Sequence, residues 1–335
     1  MSMSDPVSIA PDVETIFASL EKQDEVDGQI YRRFYRSPTF DVVAYVNQNE
    51  RMRGVRFEFR DQSKRIGDLE RVRGLSTVLQ LTDTGDEHLA LEQTRPGDGQ
   101  LFALVVNDLM KSSGVAAATE NLLVANRLSR WRNFFARSRD GLTAEQQLGL
   151  FGELAALKGP VRDALGLAGA VRSWHGPLFE VHDFSTETWA LEVKASAGTS
   201  GRARISSENQ LDSSGLPQLF LIYTSFDVRS NSQGHTLALQ ISTLRKALVE
   251  VPDAADIFED RLLDVGYLDL HAHLYVSHYM PVRSEYFQID DDFPSIRRSA
   301  IHDAVSNVTY ALNIDLCQNW RISKEYFAAH LEASE

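Results

Sequence analysis

The stretch FEVHDFSTETWALEVKAS, from Phe179 to Ser196, constrains the fold most, because its patterning changes twice within eighteen residues. FEVHDF alternates large apolar with polar residues, STET is turn-like, and WALEVKA alternates again, which predicts a two-stranded hairpin. Side chains alternate between the faces of a strand, so Glu192 and Lys194 share one face. Trp189, Leu191 and Val193 share the other, expected to meet a core. Asp183 closes the first strand nine residues before Glu192, and a hairpin brings it beside that polar face. Two carboxylates and one ammonium are thus expected at one spot, against an apolar layer.

Such a set suits metal-assisted hydrolysis of a phosphodiester. Two carboxylates can hold Mg²⁺, a hard cation that takes oxygen ligands and keeps several waters, while a lysine orients the attacking water. The order Asp183, eight residues, then Glu192-Val193-Lys194 resembles the PD-(D/E)XK nuclease superfamily. Upstream, TAEQQLGLFGELAALKG (Thr143 to Gly159) reads as a helix, with Thr143 and Gln146 as a capping box and Gly159-Pro160 as its end. Leu148, Phe151, Leu154 and Leu157 form its apolar stripe, and Glu153 lies elsewhere on its surface. The resemblance implies that Glu153 is a further metal-binding acid, and that Gln210, in ISSENQLD, is the glutamine that some members carry after the lysine. GLFGEL, the W-x-G-P run from Trp174 to Pro177, HDF, WALEVKAS and SSENQLD are together similar to a bacterial PD-(D/E)XK family described only as a domain of unknown function. One departure is His182, where the family pattern has proline before the first aspartate.

The resemblance implies a restriction-endonuclease-like mixed sheet flanked by helices, of α/β (α+β) class. It also implies a Mg²⁺-dependent DNA endonuclease, with Mn²⁺ as a substitute, in which Asp183 and Glu192 bind the metal, Lys194 positions water and Gln210 holds Lys194 or a phosphate. The family's setting implies a restriction-like defence cluster, with a helicase-type ATPase and a DNA methyltransferase as partners. A homodimer is expected by analogy, because a double-strand cut requires two sites. A non-cutting DNA-recognition or scaffold subunit is the alternative, and RNA as substrate a third reading.

The rest of the chain frames this site. At 335 residues and 43% hydrophobic content it can bury a substantial core. Two domains are expected, 1–140 and 141–335, with the break in SRDGLT (Ser138 to Thr143). No apolar run approaches the ~18 residues of a membrane span, and the N-terminus lacks secretory-signal patterning, so a cytoplasmic location is expected. The N-terminal part should hold a helix from Asp12 to Gln23, about four antiparallel strands between Thr39 and Thr94, then two helices. Leu122, Leu123, Trp131, Phe134 and Phe135 read as core. Beyond the hairpin, LPQLFLIYTSFD reads as a buried strand, Thr236 to Glu250 and Asp253 to Gly266 as helices, and YLDLHAHLYVSHYM, SEYFQID and SNVTYALNIDLC as strands.

The net charge of −13 argues against tight, free-standing DNA binding, since phosphate contacts dominate that affinity. Arginines and lysines at 51, 53, 56, 60, 64, 65, 71 and 73, and arginines at 127, 130, 132, 137 and 139, offer a local basic face or ordinary solvated surfaces. His271, His273 and His278 on a strand read as structural rather than metal-binding, and DDDFP (Asp290 to Pro294) as a solvated turn. GDGQ lacks the Lys-Ser/Thr of a phosphate loop, and Cys317 reads as a small buried residue.

Overall fold

A computed structural model describes residues 12–23, 28–36, 40–59, 75–81, 87–111, 117–137, 140–178, 180–230 and 234–332. The chain divides into two compact units, Met1–Arg139 and Asp140–Glu335.

In the first unit, helix α1 (Val13–Glu21) starts where the Asp12 carboxylate accepts the Glu14 N–H. It buries Val13, Ile16, Phe17 and Leu20, one face at helical spacing. Strands β1 (Gln29–Arg36), β2 (Phe40–Asn47), β3 (Met52–Phe59), β4 (Leu75–Leu81) and β5 (Glu87–Gln93) form an antiparallel sheet ordered β1-β2-β3-β5-β4. The four strands expected between Thr39 and Thr94 are β2 to β5, and the sheet adds a fifth ahead of them. The extra strand, β1, lies at the edge and buries neither face, so QIYRRFYR carries no alternation to read. Helices α2 (Gly99–Met110) and α3 (Ala117–Arg137) follow, with Trp131, Phe134 and Phe135 buried as expected; the side chains of Leu122 and Leu123 lie outside the described residues. Three described members of the basic runs are already paired with carboxylates. Arg53 is 8% exposed between Glu14 (2.8 Å) and Glu21 (2.6 Å), Arg56 pairs with Glu58, and Arg127 with Asp108. Arg60, Lys64, Arg65, Arg71, Arg73 and Arg139 lie outside the described residues.

The second unit is built on a mixed sheet. Helices α4 (Ala144–Ala156) and α5 (Arg162–Ser173) precede strands β6 (Phe184–Ser185), β7 (Ala190–Ala197), β8 (Arg202–Ile205), β9 (Leu219–Arg229) and β10 (His235–Thr236). Helices α6 (Leu237–Leu248) and α7 (Pro252–Val265) lead to β11 (His278–Ile289), β12 (Tyr310–Asn313), β13 (Arg321–Ile322) and helix α8 (Lys324–Glu332). The sheet runs β10-β11-β9-β7-β6, with β13 also on β11; β7 and β9 are parallel and the other pairs antiparallel. The central strand β9 is buried on both faces, which is why LPQLFLIYTSFD reads as a continuous apolar run. Phe220, Ile222 and Phe226 join Leu191 and Val193 in a core with the helices, whereas Leu219, Leu221 and Tyr223 pack with Ala203, Ile205, Leu312 and Ile314. Cys317 is 1% exposed in this second core.

Four elements differ from the sequence reading. The chain does not leave its helix at Gly159-Pro160: it passes through a π-turn (Leu157–Val161), with Gly159 at φ −100° and ψ −109°, into α5. FEVHDF is not a full strand, since only Phe184 and Ser185 pair with β7. YLDLHAHLYVSHYM is not one strand either, because Asp269–Leu274 is a 3₁₀ turn and β11 begins at His278. An extended chain would hold Tyr267 and Tyr275 roughly 26 Å apart, yet their buried rings sit 5.6 Å apart and the Tyr275 hydroxyl accepts the Leu142 N–H at 3.0 Å. SNVTYALNIDLC keeps only Tyr310–Asn313 as strand before a 3₁₀ turn.

Candidate active site

Glu192 and Lys194 leave β7 on the face opposite Leu191 and Val193, as the period of two requires. The Lys194 ammonium lies 2.7 Å from Glu192 Oε1 and donates to Gln210 Oε1 at 3.1 Å. The same Gln210 oxygen accepts the Ser206 N–H at 2.9 Å, which fixes the turn after β8 against the lysine. Because β6 stops pairing at Leu191, the Val193 N–H has no strand partner on that edge; it donates to Asp183 Oδ2 at 2.7 Å. Asp183 therefore reaches the site from a turn. Its carbonyl oxygen accepts the N–H groups of His175 (2.7 Å) and Gly176 (3.0 Å), which pulls the chain out of the expected strand.

Glu153 arrives from the helix layer. A Cβ on Gly152 would lie 2.8 Å from Ala195 Cβ, so this glycine lets α4 pack close on β7 and brings the next residue to the sheet edge. Glu153 is half-buried, and its Oε2 accepts the indole N–H of Trp174 at 2.8 Å. A Cβ on Gly176 would lie 2.7 Å from Glu153 Oε2 and 2.9 Å from Asp183 Oδ1, so both carboxylates press on one point of the backbone. Glu153, Asp183, Glu192, Lys194 and Gln210 are all brought into one neighbourhood.

The charge does not balance: three carboxylates surround one ammonium. Burial, then repulsion from Asp183, pushes the Glu153 carboxyl up to about 8 against the pull of Trp174 and Lys194. Burial raises Asp183 as well, opposed by Lys194 and the Val193 N–H. Glu192 is raised well above the usual range by burial and Asp183. Burial works against the Lys194 ammonium, but Glu192, Asp183 and Glu153 outweigh it and hold its pKa above the ordinary value.

Ionised together, the three carboxylates would exceed the one ammonium, an excess that a divalent cation would offset. Glu192 is 1% exposed and its Oε2 has no hydrogen-bond partner among the described residues, an arrangement that a cation would relieve. Among the described residues no three His, Cys, Asp or Glu side chains form a ready-made cage.

Two contributors carried no assigned role in the sequence, Trp174 and Gly176. The W-x-G-P run marks them, but neither residue type is a ligand, and only the fold brings them onto Glu153 and Asp183. The imidazole of His182 faces the Gln210 backbone, and burial draws its pKa down. His271 is buried in its 3₁₀ turn, and His273 Nδ1 lies 3.0 Å from the Leu270 carbonyl oxygen.

A family model described as "Putative PD-(D/E)XK family member, (DUF4420)" matches residues 13–315. No curated protein and no solved structure matches the chain.

Proposed function

We propose that this chain, which belongs to the DUF4420 family of PD-(D/E)XK proteins, is a divalent-metal-dependent DNA endonuclease. The observation that carries the reading is the assembled set of Asp183, Glu192 and Lys194, with a buried, unpartnered carboxylate oxygen on Glu192 beside the lysine. Asp183 and Glu192 would hold Mg²⁺, with Mn²⁺ as a substitute, and Glu153 would complete the shell directly or through water. Bound there, the ion supplies Lewis-acid charge at the scissile phosphate. Lys194 holds the attacking water by a hydrogen bond from its ammonium and offsets negative charge as it grows on the phosphoryl oxygens. Gln210 keeps that ammonium from turning away, through the bond it already makes. The core behind Leu191 and Val193 keeps β7 rigid, so that these side chains need little rearrangement.

The substrate, DNA rather than RNA, and a restriction-like defence role in the cytoplasm are part of the same proposal. The net charge of −13 supports a requirement for partners, a helicase-type ATPase and a DNA methyltransferase, that bring the DNA. A homodimer would supply the second site for a double-strand cut. Among the described residues no helix is long and apolar enough to cross a membrane. One observation favours the alternative of a non-cutting scaffold: Arg53, Arg56 and Arg127 are engaged by carboxylates, leaving less cationic surface for phosphates.

Supercoiled plasmid, unmodified and methylated, incubated with the protein in Mg²⁺ or Mn²⁺ beside a Lys194→Ala control, tests the reading. Metal-dependent nicking or linearisation that vanishes in the control is expected. Cutting that survives in Lys194→Ala refutes the assignment, and a protein that neither cuts nor takes up Mn²⁺ is the non-cutting subunit.

A further inference from the structure

We infer that the turn Trp174-His175-Gly176 is a positioning bracket that sets the spacing of Glu153 and Asp183 for a shared divalent ion, with the Trp174 indole N–H as the neutral clamp on Glu153. The inference rests on the nuclease reading. Three contacts from three consecutive residues converge on the two acids. The indole N–H donates to Glu153 Oε2 at 2.8 Å. The backbone N–H groups of His175 and Gly176 donate to the Asp183 carbonyl oxygen at 2.7 and 3.0 Å. The bare Cα of Gly176 fills the gap between the carboxylates, where a Cβ would come within 2.7 and 2.9 Å of their oxygens.

The bracket itself is firmly seated. Trp174 is fully buried, bridges to Phe184 at the start of the hairpin and packs 5.8 Å from the Phe258 ring. It is thereby tied to the layer behind the site and to the strand that follows Asp183. Helix α4 on one side and the Asp183 turn on the other are thus referenced to one rigid point.

The choice of donor matters. The Lys194 ammonium is engaged by Glu192 and Gln210. An arginine or lysine clamping Glu153 would cancel the charge that attracts a cation. An indole N–H fixes the carboxylate by a hydrogen bond and leaves its negative charge in place. The other Glu153 oxygen then stays free to take a metal-bound water or the ion.

Mn²⁺ affinity of the whole chain, without DNA, tests the bracket in a double-mutant cycle of Trp174→Phe and Glu153→Ala. Phenylalanine keeps a ring in the pocket, removes the donor and leaves a small void whose effect the second background controls for. In the wild-type background Trp174→Phe is expected to weaken Mn²⁺ binding about 10- to 100-fold, the usual effect of losing a ligand's supporting partner. In the Glu153→Ala background the same change should cost less than about twofold, because the acid it serves is gone. An equal loss in both backgrounds, or no loss in either, overturns the bracket while leaving the nuclease reading intact. A wild-type protein that takes up no Mn²⁺ overturns the metal site itself, and the bracket with it. If Trp174→Phe fails to fold, Gly176→Ala serves instead. Its added methyl group meets the two carboxylates directly, so Mn²⁺ affinity should fall with the circular dichroism unchanged, and unchanged affinity overturns the proposal.

Discussion

Replacing Glu153 with glutamine should stabilise the metal-free protein, by an amount that grows as pH rises from about 4.5 to about 8. Burial and Asp183 carry the Glu153 carboxyl from 4.5 to about 8, which corresponds to about 5 kcal/mol at ~1.4 kcal/mol per pH unit. Its pKa is higher folded than unfolded, so the folded protein binds the extra proton between those two values. The stability that this contributes is full below about pH 4.5 and is lost as pH rises through about 8. Burial raises Asp183 and Glu192 as well, and Glu192 also feels repulsion from Asp183 and Glu153, so removing one acid recovers a part, about 2 kcal/mol. For the roughly 200-residue second unit, that is a rise of about 4–8 °C in Tm. Glutamine keeps an oxygen for the Trp174 indole, so the clamp survives. Differential scanning calorimetry in EDTA, at about pH 5 and about pH 9, reads the effect. Glu153→Gln should match the wild type at the lower pH and exceed it at the higher, and added Mg²⁺ at the higher pH should raise the wild type more. A variant no more stable than the wild type at about pH 9 refutes the reasoning that the site is a store of uncompensated negative charge.

Other substitutions probe single links. Lys194→Ala leaves the buried Glu192 without its cation and should cost about 3 kcal/mol in metal-free urea unfolding, partly restored by Mg²⁺. Gln210→Ala frees the lysine and the Ser206 N–H, and should lower the cleavage rate about tenfold or more while the far-ultraviolet circular dichroism stays the same. In the first unit, a Cβ on Gly54 would run into the Tyr45 ring, so Gly54→Ala should destabilise that unit by about 1–3 kcal/mol, seen as a lowered calorimetric transition with Mn²⁺ binding unchanged. Cys317 is buried, and burial pushes its thiol pKa up, so a thiol reagent should react only after unfolding.

The sheet face of the site was legible in the sequence because a strand's period of two is a local property: Glu192 and Lys194 cannot share a face without Leu191 and Val193 sharing the other. Helix α4 was legible for the same kind of reason, with the Thr143–Gln146 capping box formed as its spacing implies. What escaped depends on distant partners. FEVHDF alternates like a strand, but the His175 and Gly176 amides capture the Asp183 carbonyl from outside the hairpin. Leu268, Leu270, Ala272 and Leu274 alternate with Asp269, His271 and His273 like a strand, yet the packing of Tyr267 on Tyr275 folds the segment into a turn. Gly159 and Pro160 break helices in isolation, but buried Leu157 and Val161 carry the chain across the kink. The Trp174 clamp had no pattern to betray it, because indole N–H groups bond wherever burial leaves them a partner.

A crystal of the protein soaked in Mn²⁺ and measured for anomalous scattering tests the central claim most directly. The account predicts a strong peak at the Asp183 and Glu192 carboxylates that disappears in Asp183→Ala. No peak there, or a peak that survives loss of Asp183, would contradict it.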